Sequence, residues 1–263
     1  MINPAQEREE MLSLLRHPNT GNRLQFDDSS LEDTMTGERF LVRDGIPVML
    51  RKEDVFGWNR KQQKAYDWGS YLYDLLYKFG LAKRWLSEIA EMMAVRTGDY
   101  VLETSVGTGQ QLLNLRNHGF DGYFFGNDIS YGMLRKCRKN LEKWGVRAGL
   151  VQANAEALPF RDEAFDVVFQ VGGFNFFNDK EAAVNEMIRV GKSGANLHII
   201  DESDTRIREK SGILTRLISR FLPDSDVFKP PVTLIPDNML DVKEAELLDG
   251  NFWMVSFQKP DKG

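Results

Sequence analysis

Short apolar runs alternate with helical patterns of apolar and polar residues through the middle of the chain. The strand-like runs and the helical patterns follow one another at 100–104, 110–117, 122–126, 130–144, 148–152, 165–170, 179–190 and 197–200. Such alternation predicts an α/β fold of Rossmann-like type, with a mostly parallel sheet and helices on both faces. Ligands bind beyond the carboxyl ends of the strands in these sheets, so the residues that follow each strand are the first candidates for a functional site.

Three further segments surround this alternation. Residues 1–52 begin with a helical pattern and continue as short apolar runs between polar turns, which predicts a small β module. Residues 53–94 are helical in pattern and rich in tyrosine, and we expect a helix packed on the core, a lid over a pocket, or both. Residues 203–232 interrupt the alternation before a closing strand at 252–257. We therefore expect two domains, 1–52 and 53–263, and an insertion that covers the substrate side or joins two copies into a homodimer.

The composition is ordinary for a globular protein, with 42% hydrophobic and 28% charged residues. A net charge of −5 disfavours a general nucleic-acid surface, so nucleic acid is not an expected partner. Cys137 is the single cysteine, which excludes intrachain disulfides and a cysteine-based zinc site. The apolar runs are too short to span a bilayer, and Glu7, Glu9 and Glu10 lie where a signal peptide would be basic and then apolar. We expect a cytoplasmic protein without a transmembrane segment.

A glycine turn connects the first strand of the alternation to its helix. The sequence from Val101 to Gly109 is Val-Leu-Glu-Thr-Ser-Val-Gly-Thr-Gly. Glycine permits positive φ and close approach of a ligand, and the helix that follows offers free N–H groups, although such turns also serve only to join strands to helices. A dinucleotide site would require a third glycine at position 112, which is leucine here. The turn therefore favours another nucleotide-like ligand over a dehydrogenase cofactor.

Two polar positions follow the next strands. Asp128 ends the second strand, where a carboxylate can accept hydrogen bonds from both hydroxyls of a ribose. Carboxylates near turns also serve as helix caps, so this position alone does not decide the function. Asn154 follows the third strand beside the small residue Ala155, and this pair suits the edge of an adenine ring.

Four motifs in order resemble class I S-adenosylmethionine-dependent methyltransferases over about residues 95–200. They are Val101-Leu102-Glu103 with Gly107-Thr108-Gly109, then Asp128, then Ala155–Phe160 with Phe165–Val168, then Glu186–Val190 with Lys192 and Gly194. The third motif is most similar to the branch that contains the ubiquinone/menaquinone methyltransferases. The resemblance implies a seven-stranded sheet that ends in an antiparallel hairpin, to which residues 252–258 would contribute.

The resemblance also implies a cofactor, S-adenosylmethionine, with S-adenosylhomocysteine as its product. By matched position, Glu103 and the glycine turn would hold the methionine portion, Asp128 the ribose and Asn154 the adenine, while the backbone after Gln170 would face the sulfonium. The full set of positions expected to contact the cofactor is Glu103, Ser105, Gly107, Gly109, Asp128, Ile129, Asn154, Ala155, Gln170 and Tyr66. Family members usually have glycine where Ser105 stands, and we expect a modest change of geometry with binding retained.

Methyl transfer from a sulfonium requires alignment and exclusion of water, and it requires no covalent nucleophile. We assign no catalytic base: His118 is expected on the surface and His198 packed within a strand. The acidic run at residues 201–204 is interpreted as a solvated loop in preference to a base or a metal-assisted site. The residues expected to line the acceptor pocket are Tyr71, Phe174, Asn175 and Phe176.

Residues 1–52 resemble the small zinc-ribbon-like modules of the Trm112 type, through Leu15–Gly21 and Asp44–Pro47. Where zinc-binding relatives place cysteines, this chain has His17, Thr20 and Thr36. Thiolate ligands are therefore missing. We expect a degenerate, metal-free module held together by packing.

The function that these observations favour is methyl transfer from S-adenosylmethionine to a small-molecule acceptor. Two alternatives remain open. One is a catalytically silent protein that binds S-adenosylmethionine and acts as a partner or regulator, with residues 1–52 as its docking surface. The other is an enzyme with the same fold that uses the cofactor for something other than methylation.

Overall fold

The fold is taken from a computed structural model, which describes residues 4–27, 29–51, 57, 89–203 and 228–261. Most of the expected lid (53–94) and of the expected insertion (203–232) lies outside these residues, and so do Tyr66, Tyr71 and Asp204. The boundary near residue 52 stays a prediction.

The amino-terminal segment forms the expected small β module. Helix α1 (Pro4–Leu14) precedes an antiparallel sheet in the order β1-β2-β3-β4. Its strands are β1 (Leu24–Asp27), β2 (Ser30–Asp33), β3 (Arg39–Arg43) and β4 (Ile46–Pro47).

A seven-stranded sheet forms the main domain, as expected. Its strands are β5 (Tyr100–Thr104), β6 (Tyr123–Asp128), β7 (Ala148–Gln152), β8 (Phe165–Val171), β9 (Gly191–Glu202), β10 (Leu240–Leu247) and β11 (Phe252–Gln258). Their order is β10-β11-β9-β8-β5-β6-β7, with parallel pairing from β9 to β7 and antiparallel pairing of β11 with both β9 and β10. The strand order reverses between β5 and β8, which makes this point the expected ligand-binding edge.

Three helices connect the parallel strands: α2 (Gln110–Asn117), α3 (Tyr131–Trp144) and α4 (Lys180–Val190). Ser130 caps the amino-terminal end of α3, because its hydroxyl accepts a hydrogen bond from the Met133 N–H at 3.1 Å. The Asp179 carboxylate caps α4 in the same way by accepting from the Ala182 N–H at 2.9 Å. Gly145 ends α3 in the left-handed conformation that glycine tolerates best.

Apolar side chains cover both faces of the main sheet. Val101 and Leu102 are adjacent in β5, yet they belong to different clusters of buried residues, since successive strand residues point to opposite faces. Leu102 shares its cluster with Met187 of α4 and with the amino-terminal module, whereas Val101 packs with the residues of α2 and α3. His198 is buried within β9, as expected.

The amino-terminal module extends the β7 edge of the main sheet. The Met49 N–H donates to the carbonyl of Gln152 at 2.8 Å, and Val48 pairs in parallel with the same residue. A second contact joins the two parts, where the Arg16 N–H donates to the Pro159 carbonyl and the Arg161 N–H donates to the Leu14 carbonyl, both at 2.9 Å. The module therefore contacts both ends of residues 152–161.

Hydrogen bonds within the module add to the apolar packing that the sequence predicts for it. The buried Asp33 carboxylate accepts hydrogen bonds from the side chains of Asn22 and Thr20 and from the backbone of Met35 and Thr36. Burial raises the pKa of Asp33, but the hydrogen bonds from Asn22, Met35 and Thr36 together lower it to about 2. Across the described ranges there is no group of three potential metal-ligating side chains.

Candidate functional site

A cavity of about 170 Å³ opens at the carboxyl ends of the parallel strands, where the strand order reverses. Four post-strand segments line it, following β5, β6, β7 and β8, together with the end of β9. The lining residues are Glu103, Ser105, Val106, Gly107, Thr108, Gln110, Gln111, Asn127, Asp128, Ile129, Met133, Ala153, Asn154, Ala155, Val171, Gly172, Gly173, Phe176, Phe177, Asp201 and Glu202.

Glu103 places a carboxyl group at the base of the cavity. Its side chain is 2% exposed, and its Oε2 atom has no hydrogen-bond partner within the described part of the chain. Burial raises the pKa of Glu103 well above its usual value, and the neighbouring charge of Asp128 raises it further. A buried carboxylate is stabilised by a cationic or hydrogen-bond-donating group, so this position can bind a ligand ammonium.

Backbone conformation and the space around the chain account for the small residues in the glycine turn after β5. Gly109 has φ of 83°, and a Cβ atom there would lie 2.9 Å from the Cys137 sulfur of α3. Gly107 has φ of 54°. Ser105 also lies in the left-handed region, with φ of 58°, although an L-residue there costs about 1–2 kcal/mol. A glycine at position 105 would adopt this conformation without strain.

Asp128 connects the turn to the end of β6. Its Oδ2 atom accepts from the Gly107 N–H at 2.9 Å, and its Oδ1 atom accepts from the Ser130 N–H at 2.8 Å. Because an ionised carboxylate has about four lone-pair sites, it can also accept hydrogen bonds from a ligand's hydroxyl groups. The two backbone contacts fix the orientation of the carboxylate.

A third wall is formed by the segment that follows β7. Asn154 is oriented by its own backbone, because its Oδ1 atom accepts from the Glu156 N–H at 3.1 Å. Ala155 lies on the same wall, and Ile129 and Met133 contribute apolar surface beside it. This mixture of apolar surface and a polar edge suits a flat, partly polar ring.

Asp201 corrects the interpretation of residues 201–204 as a solvated acidic loop. The side chain is 2% exposed and lies on the cavity wall. Burial raises the pKa of Asp201 to about 7, against the opposing effect of hydrogen bonds from the backbone of Asn175, Glu202 and Gly173. The signal in the sequence was its position at the end of a strand, where a parallel sheet collects its functional groups.

Three residues expected at the site do not line the cavity and are buried behind its wall: Phe174, Asn175 and Gln170. Phe174 is fully buried between Phe177 and Trp253, because its ring completes the apolar core there. The Nδ2 group of buried Asn175 donates to the Glu202 carbonyl at 2.9 Å. Gln170 is buried within β8.

The positions expected to contact the cofactor divide into those that line the cavity and those that do not. Seven of the ten cofactor positions line the cavity: Glu103, Ser105, Gly107, Asp128, Ile129, Asn154 and Ala155. Gly109 is the residue before α2, and Gln170 is buried within β8. Tyr66 lies outside the described residues, as does the acceptor candidate Tyr71. His118 is exposed, as expected. The apolar wall residues Met133 and Phe177 are missed by the sequence analysis, because an apolar side chain on a helix or in a loop more often packs in the core than lines a site.

The model of the ubiE/COQ5 methyltransferase family matches residues 54–225. The chain belongs to this family. The match covers more than half of the chain and includes the glycine turn and Asp128. Membership confirms the resemblance to the ubiquinone/menaquinone branch of class I methyltransferases, whereas the Trm112-like character of residues 1–52 stays a prediction.

Individual proteins agree with this assignment. The chain is 39% identical over 137 residues to the ubiquinone/menaquinone biosynthesis C-methyltransferase UbiE of Xylella fastidiosa strain M23, which covers 50% of this chain and 54% of that protein. The protein of the same name from Stenotrophomonas maltophilia is 34% identical over 171 residues, or 60% of this chain and 68% of that one. The chain thus spans about half the length of the first of these relatives.

The fold also agrees with a solved structure. A SAM-dependent methyltransferase from Aquifex aeolicus superimposes with a TM-score of 0.58 at 17% identity, covering 72% of this chain and 97% of that one. At this identity the comparison confirms the Rossmann-like fold. The described part of this chain contains no helix with the length and hydropathy needed to cross a membrane.

Proposed function

We propose that the chain binds S-adenosylmethionine in the cavity and transfers its methyl group to a small-molecule acceptor. The observation that carries the proposal is the placement of two carboxylates, Glu103 and Asp128, on either side of one glycine turn. Glu103 would bind the ammonium of the methionine portion, and Asp128 would accept hydrogen bonds from the ribose hydroxyls. The cofactor supplies an electrophilic methyl group on a sulfonium.

The remaining wall residues would align the reactants. Asn154 and Ala155 would contact the adenine, while the Gly172–Gly173 backbone lies on the side where the acceptor would approach. In-line displacement gains most from alignment and from exclusion of water, and Phe176 and Phe177 provide the apolar surface for this. No residue of the site has to form a covalent bond with the acceptor.

The names of the relatives indicate which acceptor to test first. They are ubiquinone/menaquinone biosynthesis C-methyltransferases, so a precursor that lacks one ring methyl group is the first candidate. Methylation at carbon, oxygen and nitrogen are all compatible with the alignment that the site provides.

The test is transfer of label from S-adenosylmethionine carrying an isotopic methyl group. Purified full-length chain is incubated with ubiquinone and menaquinone precursors that lack a ring methyl group, and separately with the low-molecular-mass fraction of a cell extract. The proposal expects label in a small-molecule product, with an equal amount of S-adenosylhomocysteine. Binding of S-adenosylhomocysteine without label transfer would instead indicate a silent binding protein, and cofactor consumption without a labelled product would indicate a different reaction.

The homodimer and the cytoplasmic location also belong to the proposal. A single, buried cysteine, Cys137, is compatible with a reducing compartment. Light scattering of the purified chain checks the first point, with twice the monomer mass expected. Fractionation of cells checks the second, with the chain expected in the cytoplasm.

A further inference from the structure

One carboxylate holds the turn that follows β8. The Oδ2 atom of Asp201 accepts hydrogen bonds from the backbone N–H groups of Gly173, at 3.1 Å, and Asn175, at 2.8 Å. Its Oδ1 atom accepts from the N–H of Glu202 at 2.7 Å. The end of β9 and the turn after β8 are thus joined by one buried side chain.

Two glycines shape the turn that Asp201 contacts. Gly172 and Gly173 have φ values of 75° and 110°, and a short 3₁₀-helix, Phe174–Phe176, follows. The two glycines and Phe176 line the cavity. The backbone and this aromatic side chain are therefore placed together, as one unit, on the cavity wall.

The turn lies next to the glycine turn after β5, because β5 and β8 are neighbouring strands and both turns line the cavity. A Cβ atom built on Gly173 would lie 3.9 Å from the hydroxyl oxygen of Ser105. A shift of the turn would therefore move the part of the cavity wall that follows β8. This is the side on which the proposed function places the acceptor.

We propose that Asp201 is a positioning residue, which holds the Gly172–Phe176 turn against the cavity and so fixes where the acceptor lies. The inference rests on the proposed function for the identity of the ligand, but the hold on the turn is independent of it. Asp201 acts through the turn, and its oxygens are directed to backbone N–H groups.

The strength of the hold depends on the charge of Asp201. The charged groups that interact with it are Glu202, which disfavours the charged carboxylate, and Lys180 of α4, which favours it. A protonated carboxyl group accepts fewer and weaker hydrogen bonds than a carboxylate does. Since the pKa of Asp201 is about 7, the turn should be held more firmly above neutral pH than below it.

Hydrogen exchange of the Gly173 and Asn175 amides, followed by NMR or by mass spectrometry, tests the hold directly. Asp201→Asn removes the charge and leaves a single, weaker acceptor oxygen for three backbone N–H groups, so above the pKa of Asp201 both amides should exchange about tenfold faster than in the wild type. Asp166→Asn is the matched control, because Asp166 also accepts a backbone N–H, that of Tyr100 at 2.9 Å, at the opposite end of β8. The control should leave exchange in the 172–176 segment unchanged.

The pH dependence of amide protection distinguishes a specific hold on the turn from a general change in the stability of the fold. After correction for intrinsic rates, protection of the two amides in the wild type should fall as the pH decreases through about 7, and Asp201→Asn should lack this step. Unchanged exchange in Asp201→Asn, or a step that persists in the variant, would overturn the proposal. S-adenosylhomocysteine titration of the same samples reports on the proposed function separately, since a chain that fails to bind it can still show the exchange step.

Discussion

Two positions of the glycine turn differ in how strictly they require glycine. Position 109 needs a left-handed backbone and has no room for a Cβ atom, because α3 packs directly against it. Position 105 needs the left-handed backbone only, which a serine can adopt at a cost. This difference explains why Ser105 is compatible with the fold while Gly109 is fixed.

The two demands at position 109 can be separated by substitution. Gly109→Ala should lose about 1–2 kcal/mol of unfolding free energy for the backbone and a further ~1–3 kcal/mol for the overlap with Cys137. Gly119→Ala is the control, since its φ of 84° is similar and no atom lies within 4 Å of the added carbon. Urea denaturation should show the larger loss for Gly109→Ala, and equal losses would contradict the role assigned to the contact with α3.

The elements of the main domain could largely be predicted from the sequence. The strand at 100–104 and the helix at 110–117 begin and end where the pattern of apolar and polar residues predicts. β10 was missed because it is an edge strand whose residues are mostly exposed, so apolar alternation is weak there. The expectation for Asp201 is wrong because three acidic residues within a run of four are typical of a solvated loop, unless the sheet that buries the first of them is known.

The docking of the amino-terminal module could not be predicted, because it depends on hydrogen bonds and buried apolar contacts between segments that are distant in the sequence. The module contacts both ends of residues 152–161, and Asn154 and Ala155 of the cavity lie between these contacts. The module therefore supports one wall of the cavity from outside.

Loosening this docking should weaken both stability and ligand binding. Leu15 is fully buried and pairs with Phe160, so Leu15→Ala should cost about 2–5 kcal/mol of unfolding free energy. Leu41, in β3 of the same module, is 52% exposed, and Leu41→Ala should change stability by less than about 0.5 kcal/mol. Urea denaturation gives both values, and S-adenosylhomocysteine titration should show weaker binding only for Leu15→Ala. A similar stability loss in the two variants would argue against the docking as described.

At the scale of the whole molecule, two buried titratable groups, His198 and Asp201, change the unfolding free energy with pH in opposite directions. Burial lowers the pKa of His198 from 6.5 to about 4, while it raises that of Asp201 to about 7. Between pH 6.5 and 4 the unfolded chain protonates His198 and the folded chain does not, so this histidine makes stability fall as the pH decreases. Asp201 has the opposite effect, because the folded chain retains its proton up to a higher pH than the unfolded chain does.

The two contributions can be distinguished by comparing unfolding free energies at about pH 5 and about pH 7. Replacing His198 by leucine should reduce the stability gained between pH 5 and pH 7, whereas Asp201→Asn should increase it, at about 1.4 kcal/mol for each pKa unit involved. The same pH dependence in both variants and the wild type would show that neither group has the shifted pKa described above.

Calorimetric titration of the full-length chain with S-adenosylhomocysteine is the most direct test that the cavity is a methyltransferase cofactor site. We expect saturable binding of one ligand per chain. Asp128→Ala should weaken binding by about 1.5–3 kcal/mol through the lost ribose contacts, whereas the exposed control Asp121→Ala should bind like the wild type. The absence of binding by the wild type, or undiminished affinity in Asp128→Ala, would contradict the account.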